Sequence, residues 1–146
     1  MSNAKYDPNL VTVLWGPFLL TGFEAGEFIT ATMAQTERYI RKSAFGRSIH
    51  TLVTDLGGMV TMRFQADSPS LKILATQYVA DQAPGGNVIL PLIIKDNNGL
   101  DAIASPLARL ITIPSLTHND GDQAPREFQW MCEPLVIFHG GIFAQN

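Results

Sequence analysis

The sequence predicts a mainly β fold, a barrel or sandwich, with one flanking α-helix. Three observations lead to this prediction. Residues 59–66 place apolar side chains at every second position, which is the period of a half-buried strand. Other apolar runs of similar length are separated by turns rich in Gly, Pro and Asn. Apolar residues recur clearly at helical spacing in one segment, at about residues 68–81.

The first part of the chain reads as short strands joined by tight turns. Residues 11–14 and 18–20 are apolar runs on either side of a Trp-Gly-Pro turn. A turn at residues 22–26 precedes a third strand, predicted over residues 27–35, and Gly57-Gly58 marks the turn before the alternating strand at 59–66.

The helix has recognisable start and stop signals. Ser68 is expected to be its N-cap, with Pro69 at the first helical position. An apolar stripe at helical spacing should lie on a sheet, and it consists of Leu71, Leu74, Ala75 and Tyr78. The Ala-Pro-Gly-Gly stretch at residues 83–86 should end the helix.

The second half is again predicted to be β. Residues 88–94 form an apolar strand in which Pro91 implies an edge position or a bulge. Short strands are expected at 100–104 and 110–116, separated by the break at Ser105-Pro106. Residues 127–138 read as one long strand. Phe128, Trp130 and Cys132 share one face of it, opposite Glu127, Gln129 and Glu133.

Composition indicates one domain over residues 1–146, large enough to bury a sizeable core. The chain is 46% hydrophobic and only 16% charged, whereas about a quarter charged is usual. Two explanations stay open: an unusually large core, or surface that self-association buries. The net charge of −3 argues against a dedicated nucleic-acid binder.

The cysteine content and the hydropathy of the chain bear on the cellular compartment in which the protein is made. The single cysteine, Cys132, excludes an intrachain disulfide, fits a reducing environment and is expected to be a buried structural thiol. There is no run of ~18 apolar residues for a transmembrane helix. The N-terminal residues lack the build of a signal peptide, so the expected place of synthesis is the cytoplasm.

The sequence lacks the common catalytic and metal-binding patterns. His50, His118 and His139 have no Cys or His partner at ligand spacing, so no metal site is predicted. No Gly-x-Ser-x-Gly elbow or phosphate-binding glycine loop occurs. In one strand Glu127 and Glu133 would lie about 20 Å apart, too far to act together on one bond. No catalytic residue and no cofactor is therefore expected.

A basic segment stands out. Residues 39–41 and 49–54 are predicted as the two legs of a hairpin with its tip at 43–48. No acidic residue occurs between positions 38 and 54. Four of the ten cations lie in this segment, namely Arg38, Arg41, Lys42 and Arg47. The tip is a charged end that protects a sheet edge, a docking element for an acidic patch on an identical subunit, or a nucleic-acid contact. Phe45 among the cations favours docking, because aromatic residues anchor interfaces.

Three motifs, in their order and spacing, resemble the tail-tube proteins of contractile-tailed bacteriophages. They are TGFEAGEFIT at residues 21–30, RFQADSPSL at 63–71 and PLIIKDNNG at 91–99, and the strand running into Phe-His-Gly-Gly at 138–141 is similar too. The resemblance covers nearly the whole chain.

This resemblance implies a compact barrel or sandwich with one flanking helix. Members form six-membered rings that stack into a hollow tube inside a contractile sheath, and strands of neighbouring subunits join into an inner barrel through which DNA passes without specific binding. A long hairpin or loop arm, at residues 38–48 here, reaches the adjacent subunit or ring. Sheath, tape-measure, and baseplate or terminator proteins would be partners. No membrane is implied, and the protein would be found in the virion tail after assembly in the host cytoplasm.

The expected function is therefore structural and non-enzymatic. Polar strand residues such as Thr30, Thr32 and Gln35 suit a watery lumen. Acids or neutral polar groups are expected to face inward, because cations would hold phosphates. The acidic candidates for the lumen are Glu27, Glu127 and Glu133.

Two rival interpretations stay open. One is a monomeric β-barrel that binds a small ligand in a pocket lined by Trp15, Phe64 and Trp130. The other is an enzyme subunit whose site has no recognisable motif.

Overall fold

The computed structural model describes residues 11–23, 28–34, 39–44, 46–52, 55–96, 101–116 and 124–140, and for 39–44 and 47–51 it describes the backbone. Ten strands and one helix follow one another within these ranges. They are β1 (Val11–Trp15), β2 (Phe18–Leu20), β3 (Ile29–Met33), β4 (Tyr39–Ala44), β5 (Arg47–Leu52), β6 (Gly58–Phe64), α1 (Ser70–Gln82), β7 (Leu90–Asp96), β8 (Ala102–Thr112), β9 (Arg126–Cys132) and β10 (Val136–Phe138).

Eight of the strands form one open antiparallel sheet. Its order is β2-β1-β7-β8-β9-β6-β3, and β10 pairs with β8 beside this path. Strands β4 and β5 pair with each other in a separate two-stranded sheet. The prediction of a mainly β fold with one helix is confirmed. The barrel or sandwich type, which is a finer statement than an open sheet, stays a prediction.

The large sheet curves strongly around its core. Trp15 on β1 and Trp130 on β9 are three strands apart, a separation of about 14 Å in a flat sheet. Their ring centroids are nevertheless 5.8 Å apart, in an edge-to-face arrangement. The Trp15 indole N–H also donates a hydrogen bond to the backbone carbonyl of Ala108 on β8, at 3.2 Å. Both contacts bring parts of well-separated strands together over one face of the sheet.

Aromatic rings fill the centre of this core. Trp15, Phe64 and Trp130 are at most 1% exposed. Phe64 packs edge-to-face on Phe128 at 5.7 Å, and Phe128 lies 6.3 Å from Trp130. The three side chains that a ligand pocket was expected to use are therefore part of a packed aromatic cluster.

The helix is confirmed but begins one residue later than predicted, with Pro69 rather than Ser68 at the N-cap. The Ser68 hydroxyl still accepts a hydrogen bond from the N–H of Ser70 at 3.2 Å, as an N-cap side chain does. It also donates to the carbonyl of Thr21, which ties the helix start to the end of β2. Leu74 is fully buried, and Leu71 and Tyr78 pack against the core. Ala75 is exposed, so the apolar stripe is narrower than predicted. With 13 residues, α1, the one helix in the described ranges, is too short to span a bilayer.

The early strands follow the predictions closely. Strands β1 and β2 form the expected hairpin, and Gly16 in its two-residue turn has a φ of 60°. Val60, Met62 and Phe64 of β6 are fully buried, as their alternation predicted. Strand β3 is shorter than the predicted 27–35 and ends at Met33.

Two prolines lie inside the sheet, where they were expected to mark an edge or a break. Pro91 belongs to β7, which is flanked by β1 and β8, so the edge alternative is wrong and the bulge alternative is confirmed. Pro106 lies within β8, so the break expected at Ser105-Pro106 is wrong, and one 11-residue strand spans it. The register between β7 and β8 shifts between Leu90 and Leu92, and this irregularity accommodates residues that have no N–H to donate.

The predicted long strand at 127–138 is two strands in one line. Cys132 lies opposite Ala108, and Val136 lies opposite Ala104 in the same register on β8. Residues 133–135 separate the paired parts, because Pro134 has no N–H to donate. Glu133 therefore lies in the connection and not on the strand face it was expected to share with Glu127.

The predicted hairpin is present, with longer strands and a shorter tip. Ala44 pairs with Arg47, which leaves residues 45 and 46 between the strands instead of six residues. Gly46 has a φ of 74°, a conformation that glycine adopts readily in such turns. Arg41, Lys42 and Arg47 are on the paired strands. The other two residues proposed for the arm, Arg38 and Phe45, lie outside the described residues.

Candidate assembly surfaces

The outer face of the large sheet is the face opposite the core. Because side chains alternate along a strand, every second residue lies there. In its first half, directly paired residues of five strands form a row that we call the apolar row. It runs in register across β2, β1, β7, β8 and β10, and consists of Leu19, Leu14, Ile93, Ala104 and Val136.

The apolar row is open to solvent in this chain. Its four large side chains are between 37% and 56% exposed, and Ala104 is exposed as well. Phe138, also exposed, adjoins the row on β10. Single exposed apolar residues are normal on protein surfaces, but contiguous patches mark interaction sites. The register, and not composition alone, makes this surface continuous.

The second half of the outer face is polar except at one end, where the exposed Met59 and Met131 pair with each other. Gln129, Thr61 and Thr30 lie side by side on β9, β6 and β3. The next position along these strands pairs Glu127 with Arg63. We call this surface the polar face.

An ion pair lies on the polar face. The Arg63 Nε is 4.0 Å from a carboxylate oxygen of Glu127, and both side chains are exposed. Such a pair contributes at most about 1 kcal/mol to stability. The pair also matters for the charge of this surface, because the carboxylate of Glu127 offsets the positive charge of Arg63. A hollow of about 250 Å³ lies between the pair, Thr30 and Thr61.

The structure separates the residues that were proposed for a lumen. Glu127 is on the polar face, together with Thr30 and Thr32. Glu133 is not, since it lies in the connection between β9 and β10. Glu27 lies outside the described residues. Arg63 was not singled out from the sequence, because its pairing with Glu127 depends on the register of two strands that are distant in the chain.

Glu133 instead borders two adjoining hollows, which together we call the Glu133 groove. One, of about 240 Å³, lies against Leu107 and Met131. The other, of about 310 Å³, lies against Asp55 and Leu56. Leu107 is 53% exposed and Met131 is 42% exposed. The groove therefore combines exposed apolar side chains with two acids.

One cation, Arg109, also borders the groove, and its charge is already compensated. Its Nε lies 3.8 Å from a carboxylate oxygen of Asp81 near the end of α1. A terminal nitrogen of the same guanidinium donates to the side-chain oxygen of Asn87. In the described part of the chain, neither Asp55 nor Glu133 takes part in an ion pair. The groove is thus a net acidic surface.

The thiol of Cys132 is neither exposed nor readily ionised. It is fully buried on β9, and burial raises the pKa of its thiol to about 11, although a hydrogen bond with Ser105 acts in the opposite direction. Since the thiolate is the reactive form, this thiol is structural, as predicted.

Among the described residues, no group of three or more His, Cys, Asp or Glu side chains is arranged to hold a metal ion.

Comparisons with known proteins do not assign the chain to a family. No protein-family model matches the chain, and no curated protein is significantly similar to it. The surfaces described above and the motifs of the sequence are therefore the grounds for a function.

Proposed function

We propose that the protein is a non-enzymatic structural subunit of the inner tail tube of a contractile-tailed bacteriophage or a related injection device. Its subunits assemble into hexameric rings that stack into a hollow conduit for DNA. The observation that carries this proposal is the β4–β5 hairpin. It forms a sheet of its own, and its sequence bears three of the ten cations on paired strands.

A hairpin of this kind needs a surface to lie on. An isolated two-stranded hairpin is at best marginally stable in water. Six consecutive pairs nevertheless join β4 and β5 without a bulge. A neighbouring subunit would supply the missing contacts, and a head-to-tail contact of this type closes into a ring when its rotation allows.

The apolar row supports self-association independently. It would be buried against neighbouring subunits, which accounts for a chain with few charges and much exposed apolar surface. The open edges of the sheet, β2 and β3, would pair with strands of adjacent subunits and continue the sheet into a closed barrel. The barrel architecture is thus a property proposed for the assembly.

The polar face is the proposed lumen surface. Free cations would bind DNA phosphates tightly and slow its passage. The rows of Thr and Gln are neutral, and Arg63 lies beside Glu127. DNA would therefore pass this surface without being held. Sheath, tape-measure, and baseplate or terminator proteins are the further partners that the resemblance implies.

The test is to image the purified protein by negative stain after size-exclusion chromatography over a range of concentrations. Rings of six subunits or stacked tubes are expected. Raising the salt concentration should weaken assembly, because exposed charge pairs are screened at a Debye length of about 10 Å in 0.1 M salt. A protein that stays monomeric at every concentration would contradict the proposal.

A further inference from the structure

We propose that the Glu133 groove receives the tip of the β4–β5 hairpin from a second copy of this chain. The inference rests on the proposed function, because it requires that the protein assembles with itself. It adds the identity of the two surfaces that meet.

The charges of the two surfaces are complementary. Arg41, Lys42 and Arg47 lie on the hairpin strands, and Arg47 immediately follows the two-residue turn. The groove presents Asp55 and Glu133. Charge complementarity of this kind sets orientation and speeds encounter more than it adds affinity.

The apolar parts of the two surfaces also correspond. In the sequence, an aromatic residue, Phe45, stands between Ala44 and Arg47. The groove offers Leu107 and Met131, which are exposed and adjoin Glu133. An aromatic residue inserted among apolar side chains and framed by charges is a common interface anchor.

The length of the hairpin favours a groove on another copy. The base of the hairpin, where Tyr39 pairs with Leu52, is three residues from Asp55 at the groove. The tip lies at the other end of a ribbon of six residue pairs, which is about 20 Å long. Because the pairing is uninterrupted, the ribbon keeps its tip about 20 Å from its own base, which is three residues from Asp55. Each copy therefore carries tip and groove at opposite ends of one ribbon, which is the arrangement of a head-to-tail contact.

A charge exchange between two variants tests this contact. Arg47→Glu makes the tip less basic, and Glu133→Lys makes the groove less acidic. Each variant alone should need an at least about tenfold higher concentration to assemble, because like charges then meet in every contact. An equimolar mixture should assemble at nearly the wild-type concentration, because the altered tip of one variant faces the altered groove of the other. The remaining contacts in the mixture join an unaltered tip to an unaltered groove.

Controls separate this contact from general effects of charge. Asp67→Lys makes the same change at an exposed acid outside the groove and should assemble like the wild type. Circular dichroism of each variant reports folding. If Glu133→Lys folds poorly, Glu133→Gln takes its place, with a smaller loss and partial recovery in the mixture.

The outcomes distinguish the inference from the proposed function. If the wild type assembles and Glu133→Lys assembles equally well, or the mixture is no better than its components, the groove is not the docking site and the proposed function stands. Recovery only when both substitutions are in one chain would place the tip in its own groove and overturn the role of a second copy. A wild type that never assembles would overturn the proposed function and this inference together.

Discussion

Cys132 shows how one side chain is constrained by its position in the sheet. It is the last residue of β9, lies opposite Ala108 and is fully buried in the core. Burial disfavours the charged thiolate, so the pKa of the thiol rises from 9.0 to about 11. The folded chain therefore keeps its proton at pH values where the unfolded chain has lost it. The stabilisation that the neutral thiol provides is complete below about pH 9 and is lost as the pH rises towards 11.

Replacing this cysteine should make the free energy of unfolding less dependent on pH in the alkaline range. Between pH 8 and pH 11 we expect the free energy of unfolding of the wild type to fall by about 2 kcal/mol more than that of Cys132→Ala. Urea denaturation at a series of pH values measures both. Other groups titrate equally in the two proteins, so the difference isolates the thiol. Parallel curves would show that the thiol of Cys132 does not titrate differently on folding.

At the scale of elements, the junction of β2 with α1 is a point of close contact. The N–H of Thr21 donates to the hydroxyl of Ser70 at 2.7 Å, and its carbonyl accepts from Ser68. The next residue, Gly22, has a φ of 77°, and a Cβ at that position would lie 2.5 Å from the Ser68 hydroxyl oxygen. The junction therefore needs glycine for both its backbone conformation and its space.

A pair of glycine substitutions separates these two needs. Gly85 has a φ of 76°, but no neighbouring atom lies within 4 Å of the place that a Cβ would occupy. Gly85→Ala should reduce the free energy of unfolding by about 1 kcal/mol, the penalty of the left-handed conformation alone. Gly22→Ala should reduce it by roughly 3 kcal/mol, since the methyl group also displaces Ser68 from Thr21. Chemical denaturation of both variants gives the comparison, and equal losses would show that the junction relaxes freely.

Local patterns predicted the elements that local chemistry determines. The alternation at 59–66 identified the buried face of β6, and the Gly-Pro turn identified the first hairpin. Proline was the main source of error. Pro106 is tolerated in β8 because the register shifts beside it, and no property of residues 105–107 indicates which strand lies opposite. Whether a proline is tolerated at such a position depends on pairing between strands that are distant in the sequence.

The candidate site was predicted in the same uneven way. The basic hairpin was identified because its cations are close in sequence. Arg63 beside Glu127, and Glu133 beside Asp55, are brought together by strands and connections far apart in the chain. A single sequence does not contain that register. The acidic side of the proposed contact was consequently found only in the structure.

At the scale of the whole molecule, the outer face is divided in two. The apolar row crosses β2, β1, β7, β8 and β10, and the polar face lies on β9, β6 and β3. A tube subunit needs both kinds of surface, one towards its neighbours and one towards the conduit. The division therefore agrees with the proposed function and predicts different consequences for substitutions in the two halves.

A charge in the apolar row should impair assembly and leave the fold unchanged. Ile93 lies at the centre of the row and is 51% exposed. Ile93→Asp should retain the thermal stability of the subunit to within a few degrees, while the concentration needed for assembly rises at least about tenfold. Sedimentation velocity measures the association.

The matched control for this substitution is Val79→Asp. Val79 is 65% exposed on α1, outside the row, and the variant should assemble like the wild type. If Ile93→Asp assembles as readily as this control, the row is not covered by neighbouring subunits.

The continuous course of β8 has a mechanical consequence. At 11 residues and about 36 Å, it is paired with β7 on one side and with β9 and β10 on the other, so it belongs to both halves of the outer face. A load applied along this strand meets many interstrand hydrogen bonds at once, in shear, before any single bond can open. A force applied to β7 or β10 would thus be transmitted to β9 along the covalent backbone of β8. We therefore expect β8 to be the strand that most resists extension of the subunit.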